Sequence, residues 1–373
     1  MSPWVIEGLI GEPGRTVAIK DSLDVAGWPT QCGSRALQTA APALRHATVV
    51  QALLDGGWQV AGKAVLHELA FGVTGINEWS GTPVNPQAPD RIPGGSSSGS
   101  AVIVGQGVAD AALGTDTGGS VRMPAACCGV FGFKPTFARL SREGVYPASS
   151  SLDCVGPIAR DLVTLTALMA AMDSTFVVRT PPAQVHVGLL DVACEPAITM
   201  ALQEAMSAWG WTWERVSLPL LDPAFEAGLT VINAETWAAF GHYTGQGLLG
   251  ADVEARLLRA AATDAEALLG AEAVRVAFTQ QVDRLLERFD ALVLPSLPRL
   301  PPLLAEVQAG APVIDLTRFL RPFNLSGHPA LSVPIAHPDS TLKTSLQLIG
   351  RKGHDAQLCA VAAARPANAQ PQQ

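Results

Sequence analysis

GGSSSGS at residues 94–100 and GTDTGGS at residues 114–120 are the two segments around which this 373-residue sequence is organised. A run of mostly small or apolar residues, 101–113, separates them. Glycine allows the backbone to turn tightly and to approach another group closely, and a serine hydroxyl attacks once a nearby base activates it. Either segment alone is compatible with an ordinary loop. The pair, with a lysine in an apolar setting upstream, indicates an active site.

Two other parts of the sequence show the order strand, helix, strand that is typical of parallel βαβ units. These units comprise residues 17–20, 47–54 and 58–65, and residues 185–190, 198–209 and 213–218. Residues 251–289 are rich in alanine, leucine and charge, which predicts helices with a break near Gly270, within a helical region at about 220–290. We therefore predict a single α/β domain over 1–373, with a mixed, mostly parallel sheet flanked by helices, and a flexible tail at 366–373.

Composition excludes several classes of protein. Apolar residues make up 48% of the chain and charged residues 16%, which is typical of a folded chain with a large core. The net charge of −8 gives no basis for nucleic-acid binding. No apolar run is long enough to span a bilayer, the first residues do not resemble a signal peptide, and the six cysteines lack metal-ligand spacing. We expect a cytoplasmic protein with reduced cysteines and no metal, membrane or nucleic-acid partner.

Lys63 is the candidate base for a serine nucleophile, because no histidine lies in either serine-rich segment. The residues around Lys63 are apolar, and burial lowers the pKa of a lysine by disfavouring the ammonium form. A neutral Lys63 then accepts a proton from a serine. The alternative is a lysine that extends from the end of a strand into solvent, and the two interpretations have equal support from the sequence.

Gly118-Gly119-Ser120 suits a nucleophile with an oxyanion hole, because successive backbone N–H groups stabilise the negative oxygen of a tetrahedral intermediate. An ordinary turn is the alternative. A competing motif, G-x-S-x-G with Ser97 at its centre, is typical of α/β-hydrolases and would need a late histidine such as His328, His337 or His354. That motif follows a strand, whereas prolines precede it here. Nucleotide binding is also disfavoured, because no P-loop or dinucleotide fingerprint is present.

Together with their surroundings, the two segments resemble the amidase signature family. The similarity covers nearly the whole chain, and the central motif is long and specific. The chain is similar to short members such as the indole-acetamide hydrolase-type amidases, and to the A-type component of amidotransferases. The matching segments are VAIKD (17–21), GK (62–63), ELAFG (68–72), GGSSSGS (94–100), GTDTGGSVR (114–122), GVFGFKPT (129–136), DCVGP (153–157), FNLSGHPALS (323–332) and LQLIG (346–350).

The resemblance implies that Ser120 is the nucleophile, that Lys63 is the base, and that Ser96, preceded by a cis peptide bond, relays the proton. It also implies an oxyanion hole made by the backbone amides of Thr117, Gly118, Gly119 and Ser120. The implied enzyme needs no cofactor and no metal. It hydrolyses a small-molecule carboxamide to a carboxylate and ammonia or an amine through an acyl-enzyme, as a monomer or homodimer.

Two alternatives remain open at this point: a glutaminase or amidotransferase A-type subunit that is active only with partners, and a hydrolase of urea-type amides such as biuret or allophanate. The substrate pocket is expected to lie among residues 233–237, 295–302 and 323–328, with Trp237 and Phe240 either in the pocket or in the core. Arg122 is expected to be a structural ion-pair partner, with binding of a substrate carboxylate as the alternative.

Overall fold

A sheet of eleven strands runs through the molecule in the computed structural model, which describes residues 1–365. The predicted tail at 366–373 lies outside the described residues. The strands are β1 (Trp4–Ile10), β2 (Thr16–Lys20), β3 (Gln59–Ala64), β4 (Ala111–Asp116), β5 (Phe131–Lys134), β6 (Cys154–Ala159), β7 (His186–Leu190), β8 (Thr212–Val216), β9 (Ala291–Pro295), β10 (Ala330–His337) and β11 (Ser340–Ile349).

The α-helices cover both faces of this sheet. They are α1 (Thr48–Asp55), α2 (Ser98–Gly105), α3 (Arg122–Cys128), α4 (Leu162–Met172), α5 (Pro196–Ala208), α6 (Leu221–Phe240), α7 (Ala251–Ala260), α8 (Ala265–Leu286), α9 (Leu304–Gln308), α10 (Arg321–Leu325) and α11 (Asp355–Ala363). No helix among residues 1–365 is long and apolar enough to cross a membrane.

The sheet is mixed, as predicted, with the strand order β1-β3-β2-β4-β6-β5-β10-β11-β9-β7-β8. Both predicted βαβ units are parallel: β2 pairs with β3, and β7 pairs with β8. The prediction of a mostly parallel sheet is wrong in its balance, because within residues 1–365 four strand pairings are parallel and six are antiparallel. Five of the antiparallel pairings join the two βαβ units through β4, β6, β5, β10, β11 and β9, and the sixth adds β1 beside β3.

Helices α6, α7 and α8 lie in the region 220–290, where the sequence predicts helices, but the break within 251–289 is not at Gly270. Helix α8 continues through Gly270. The chain leaves α7 after Ala260, and α8 begins after Asp264, whose side chain accepts a hydrogen bond from the backbone of Ala267. A carboxylate at this position caps the free N–H groups of the first turn, and this cap determines where the new helix starts.

Alternation along the strands separates two apolar layers. Helices α1, α4, α5 and α11 pack on one face with strand residues such as Ile19, and α2 and α3 pack on the other with Ala18 and Ala64. In the register of β2 and β3, Ile19 lies opposite Lys63 and Lys20 lies opposite Ala64. Because successive side chains point to opposite faces of a strand, Lys20 belongs to the face covered by α2 and Lys63 to the other face.

Candidate active site

Lys20, the last residue of β2, lies against the first glycine–serine segment. Its Nζ is 2.7 Å from Ser96 Oγ and 2.7 Å from Thr115 Oγ1, and all three side chains are buried. The adjacent parallel strand β4 ends at Asp116, so both strands deliver their carboxyl ends to one edge of the sheet. Ligand and catalytic sites of α/β proteins commonly lie at this edge.

Lys63 lies on the opposite side of the same strands. It forms a buried ion pair of 2.8 Å with Asp21 and donates hydrogen bonds to the carbonyl of Pro29 and the hydroxyl of Thr30. The structure therefore brings Lys20, and not Lys63, to the serine hydroxyl. The sequence-based prediction that Lys63 lies next to the serines is therefore wrong. In the register of β2 and β3, Lys63 lies opposite Ile19 and not opposite Lys20, so the two lysines point to opposite faces of the sheet.

Burial changes the acid–base properties of Lys20. Desolvation lowers the pKa of Lys20 from 10.5 to about 8, although the nearby Asp153, Cys32 and Asp116 act in the opposite direction. Burial disfavours the ammonium form because its charge loses contact with water. A lysine with this pKa has a substantial neutral population near neutral pH and is able to accept a proton from Ser96.

The two glycine–serine segments are joined by their backbones. The N–H of Ser97 donates to the carbonyl of Ser120 at 3.2 Å, and the peptide bond between Gly95 and Ser96 is cis. Ser120 is 8% exposed and Ser96 is fully buried. Within residues 1–365, Ser120 Oγ makes no hydrogen bond to Ser96 Oγ, and catalytic hydrogen bonds often shorten only in the substrate complex.

The G-x-S-x-G alternative finds no support in the contacts of Ser97. Its hydroxyl donates to the carbonyl of Thr115 at 3.3 Å, and within residues 1–365 it has no histidine partner. His328 instead lies within 2.9 Å of Ser326 Oγ and of Asp283 Oδ1. Ser97 occupies the position just before α2, where it helps to hold the two segments together.

Asp116 organises the turn that leads to Ser120. Its carboxylate accepts hydrogen bonds from the backbone N–H groups of Gly119, Val121 and Arg122, at 2.8, 3.2 and 3.3 Å. Asn324, in α10, donates to the same carboxylate and to the carbonyl of Asp116. A turn with three backbone N–H groups bound to one buried carboxylate, which Asn324 holds in place, has little freedom, and such rigidity is what an oxyanion site requires.

Arg122 neutralises Asp116 and has no capacity left for a substrate. Its Nε and Nη2 bind the two carboxylate oxygens at 2.9 and 2.8 Å. Its other donors bind the carbonyl of Leu320 and the side chains of Gln347 and Asn324. Burial alone would raise the pKa of Asp116, but the charge and hydrogen bonds of Arg122 hold it well below the usual value. Arg122 is therefore the structural ion-pair partner that the sequence favoured.

The four backbone amides predicted for the oxyanion hole differ in their availability. The N–H of Gly119 is already bonded to Asp116. Within residues 1–365, the N–H groups of Thr117, Gly118 and Ser120 have no acceptor. The side chain of Thr117 donates to Asp153 at 2.9 Å, and Asp153 is bound in turn by Arg142, which fixes this end of the turn. The amides of Thr117, Gly118 and Ser120 are thus the donors left for a substrate oxygen.

Ile232 of α6, which directly precedes the predicted pocket segment 233–237, lies beside this turn. A Cβ placed on Gly118 would lie 3.0 Å from Ile232 Cδ1 and 3.7 Å from Arg321 Cγ and Nε. Farther along α6, Glu235 accepts hydrogen bonds from Ser150 and Ser151.

Trp237, Phe240 and residues of the other two predicted pocket walls pack mostly in the protein interior. Phe240 is buried in a core cluster and Trp237 packs against it. In the 323–328 segment, Asn324 is committed to Asp116. In the 295–302 segment, Leu297 packs beneath α3 with Met123.

Comparison with known proteins supports what the fold and the site indicate. The chain matches the family model described as Amidase over residues 13–359. It is 35% identical to the A subunit of the glutamyl-tRNA(Gln) amidotransferase of Symbiobacterium thermophilum, over 94% of this chain and 81% of that protein. The chain therefore belongs to the amidase signature family, and it is an amidohydrolase.

Solved structures show the same relationship. The corresponding amidotransferase protein from Thermotoga maritima superposes with a TM-score of 0.81 at 30% identity, covering 94% of this chain and 82% of that one. The allophanate hydrolase of Kluyveromyces lactis superposes with a TM-score of 0.83 at 28% identity, covering 95% of this chain and 63% of that one. The likeness thus extends over the whole described fold.

Lys20 was within reach of sequence-based reasoning. It ends an apolar strand, VAIK at 17–20, so the effect of desolvation considered for Lys63 applies equally to it. What distinguishes the two lysines is the face of the sheet to which each side chain points. Lys20 lies on the same face as Ala18, whereas Lys63 lies on the same face as Ile19. This difference depends on the register between β2 and β3, which composition does not supply.

Proposed function

We propose that this amidohydrolase cleaves a carboxamide through an acyl-enzyme, with Ser120 as nucleophile, Ser96 as proton relay and Lys20 as base. The observation that carries the proposal is the 2.7 Å contact between Lys20 Nζ and Ser96 Oγ in a fully buried site. Burial lowers the pKa of Lys20 to about 8, which suits a base that works near neutral pH. Serine needs such a base, because its hydroxyl alone is a weak nucleophile.

The first half-reaction forms the acyl-enzyme. Ser120 Oγ bonds to the amide carbon while its proton passes to Ser96 Oγ, and the proton of Ser96 passes to Lys20. The carbonyl oxygen becomes negative and is held by the free amides of Thr117, Gly118 and Ser120. The C–N bond then breaks as a proton returns from Lys20, through Ser96, to the leaving nitrogen, and ammonia or an amine departs.

The second half-reaction releases the product. Water attacks the acyl carbon and gives its proton to the same relay, so that a second tetrahedral intermediate forms at the same amides. The bond to Ser120 Oγ breaks, Ser120 recovers a proton, and the carboxylate leaves. One base therefore serves both halves of the cycle, and no cofactor enters the balance of atoms or charge.

A panel of aryl, alkyl and urea-type amides, scored by ammonia release, tests the activity. Adding hydroxylamine to the best substrate tests the acyl-enzyme, because acyl transfer to hydroxylamine yields a hydroxamate. We expect hydroxamate from the wild type and none from Ser120→Ala. Undiminished hydroxamate formation by Ser120→Ala would rule out Ser120 as the nucleophile.

A second candidate is an amidotransferase A-type subunit, which the 35% identity to the Symbiobacterium thermophilum protein favours. A chain of this type would act on glutamine within a complex. Purified chain that releases ammonia from simple amides by itself supports the first proposal. Purified chain that is inert toward all simple amides and active toward glutamine only after partner proteins are added supports the second.

A third candidate is the hydrolysis of urea-type amides, which the structural likeness to allophanate hydrolase favours. It uses the same serine and lysine groups and differs in the acyl part of the substrate. The ratio of kcat/KM for biuret or allophanate to that for alkyl amides distinguishes it within the same panel.

A further inference from the structure

Arg321, at the start of α10, is one of two buried arginines among residues 1–365. The other, Arg122, uses all five of its N–H donors. Arg321 is 3% exposed, yet within the described residues no carboxylate lies within 4.0 Å of it. The neighbouring Arg318, in contrast, is paired with Asp222 at 2.7 Å.

The donors of Arg321 are only partly satisfied. Nη1 donates to the carbonyl of Phe225 at 3.3 Å and Nη2 to the hydroxyl of Thr317 at 2.8 Å. The guanidinium also lies over the ring of Phe225, 4.2 Å from its centre. Nε is buried and has no acceptor within residues 1–365. A buried cation with an unused donor and no counter-ion favours the binding of an anion.

The location of Arg321 connects this free capacity to the site. Arg321 Cγ and Nε each lie 3.7 Å from the point where a Cβ on Gly118 would be, so the side chain runs beside the amide proposed to hold the substrate oxygen. Ile232, on α6, packs against the same point at 3.0 Å. A substrate group bound at Arg321 is therefore a short distance from a carbonyl bound at Gly118. The side chain of Ile232 lies next to the part of the substrate that would connect the two groups.

The surrounding charges do not neutralise Arg321. Glu226, on the adjacent turn of α6, is exposed and does not contact it, and Arg256 adds a second positive charge nearby. Burial lowers the pKa of Arg321 to about 10, so the guanidinium stays charged at neutral pH. The cation persists in a site that supplies no matching anion from the described chain.

We propose that Arg321 binds a carboxylate on the substrate, so that the enzyme acts on amides of short dicarboxylic acids rather than on neutral amides. This inference rests on the proposed function, since it concerns the acyl part of the molecule that Ser120 attacks. The role that the sequence offered to Arg122 belongs to Arg321, because Arg122 is fully engaged. The planar guanidinium offers its donors in the geometry that a carboxylate accepts.

The test compares malonamate, succinamate and glutaramate with the neutral diamides malonamide, succinamide and glutaramide. We expect wild-type kcat/KM to favour the acidic amide by about tenfold or more at one of these lengths, after correction for the two equivalent amides of a diamide. Arg321→Gln lowers this ratio by about tenfold or more, mainly through KM, and Arg321→Lys by less. The matched control Arg318→Gln leaves the ratio unchanged.

A binding measurement keeps the inference testable without turnover. Calorimetry on the Ser120→Ala protein, which keeps Arg321, compares malonate, succinate and glutarate with the corresponding diamides. Tighter binding of one dicarboxylate supports the anion site, and equal or weaker binding of all three overturns it. A wild type that hydrolyses neutral and acidic amides equally refutes this inference alone. A wild type that releases ammonia from no amide refutes the proposed function, and the calorimetry then still decides the anion site.

Discussion

Lys63 Nζ lies 2.8 Å from Asp21 Oδ1, and both side chains are fully buried. Asp21 directly follows Lys20, so of two consecutive residues one binds Ser96 and the other pairs with Lys63 on the opposite face of the sheet. Burial raises the pKa of Asp21, and the charge of Lys63 opposes that change. The Asp21–Lys63 pair therefore has a structural role. Substitutions of Lys63 and of Lys20 should for this reason differ in their effects.

We predict that Lys63→Met mainly lowers the stability of the protein and that Lys20→Met mainly lowers its turnover. Removing Lys63 leaves Asp21 buried without its counter-ion, which lowers the free energy of unfolding by about 3–5 kcal/mol. Removing Lys20 deletes a buried cation without an ion-pair partner, so the stability loss is smaller, but kcat falls by about 10²–10⁴ because the base is absent. Chemical denaturation and ammonia release measure the two effects. Near-normal turnover by Lys20→Met would reject the relay.

We predict that turnover rises with pH through the neutral range. The active form of Lys20 is the neutral amine, and desolvation lowers its pKa to about 8. Below this value the neutral fraction falls about tenfold for each pH unit, and above it the rate becomes constant. The logarithm of kcat/KM should therefore rise with a slope of about one and level off near pH 8. A profile that is flat from about pH 5 to 9 would exclude a lysine base with this pKa.

The sequence predicted the two ends of the sheet better than its middle. The two βαβ units are recognisable because each contains a helix with an apolar face between two segments with β-prone residues. In the middle of the sheet, β5 has only four residues and β6 contains adjacent glycine and proline, which weakens the strand pattern. Missing β4 meant that the pairing of β2 with β4, which delivers Lys20 to the site, was not predicted.

The candidate site shows the same division. Residues adjacent in sequence, such as Asp116 and the Gly118–Ser120 turn, follow from the motif because local backbone geometry brings them together. Lys20 depends on strand register, and Arg321 and Asn324 reach the turn from about 200 residues away in the chain. No local pattern records such contacts, since they arise only when α10 packs against the end of β4.

We predict a stability loss of about 3–5 kcal/mol for Arg122→Met at neutral pH, because Asp116 then stays charged and buried without its partner. Arg122 holds the pKa of Asp116 below its usual value, so the wild type gains stability above about pH 4 that is lost on acidification. Without Arg122 the pKa of Asp116 rises, and the difference between the two proteins shrinks as the pH falls. Urea denaturation at about pH 7.5 and about pH 4.5 measures this change.

The control for Arg122→Met is Arg318→Met, which removes an exposed pair with Asp222. Its effect should stay within about 1 kcal/mol, because solvent screens such pairs. Equal losses for the two variants, or a loss for Arg122→Met that grows on acidification, would contradict the assigned role of the Asp116–Arg122 pair.

We predict that Gly119→Ala damages both the turn and the activity. Gly119 has φ of +116°, where an L side chain is strained, and an added Cβ would lie 2.7 Å from Leu320 Cβ. The turn must shift to relieve this contact, which displaces the Gly118 and Ser120 amides and lowers kcat by about 10² or more, the usual cost of losing one oxyanion donor. The matched control is Gly270→Ala, in the second turn of α8, where an added Cβ would meet no atom of residues 1–365 within 4 Å. That substitution should raise stability by about 0.5–1 kcal/mol and leave kcat unchanged. Ammonia release and thermal unfolding of both variants check the prediction, and a Gly119→Ala enzyme with wild-type kcat would show that the turn has no part in stabilising the oxyanion.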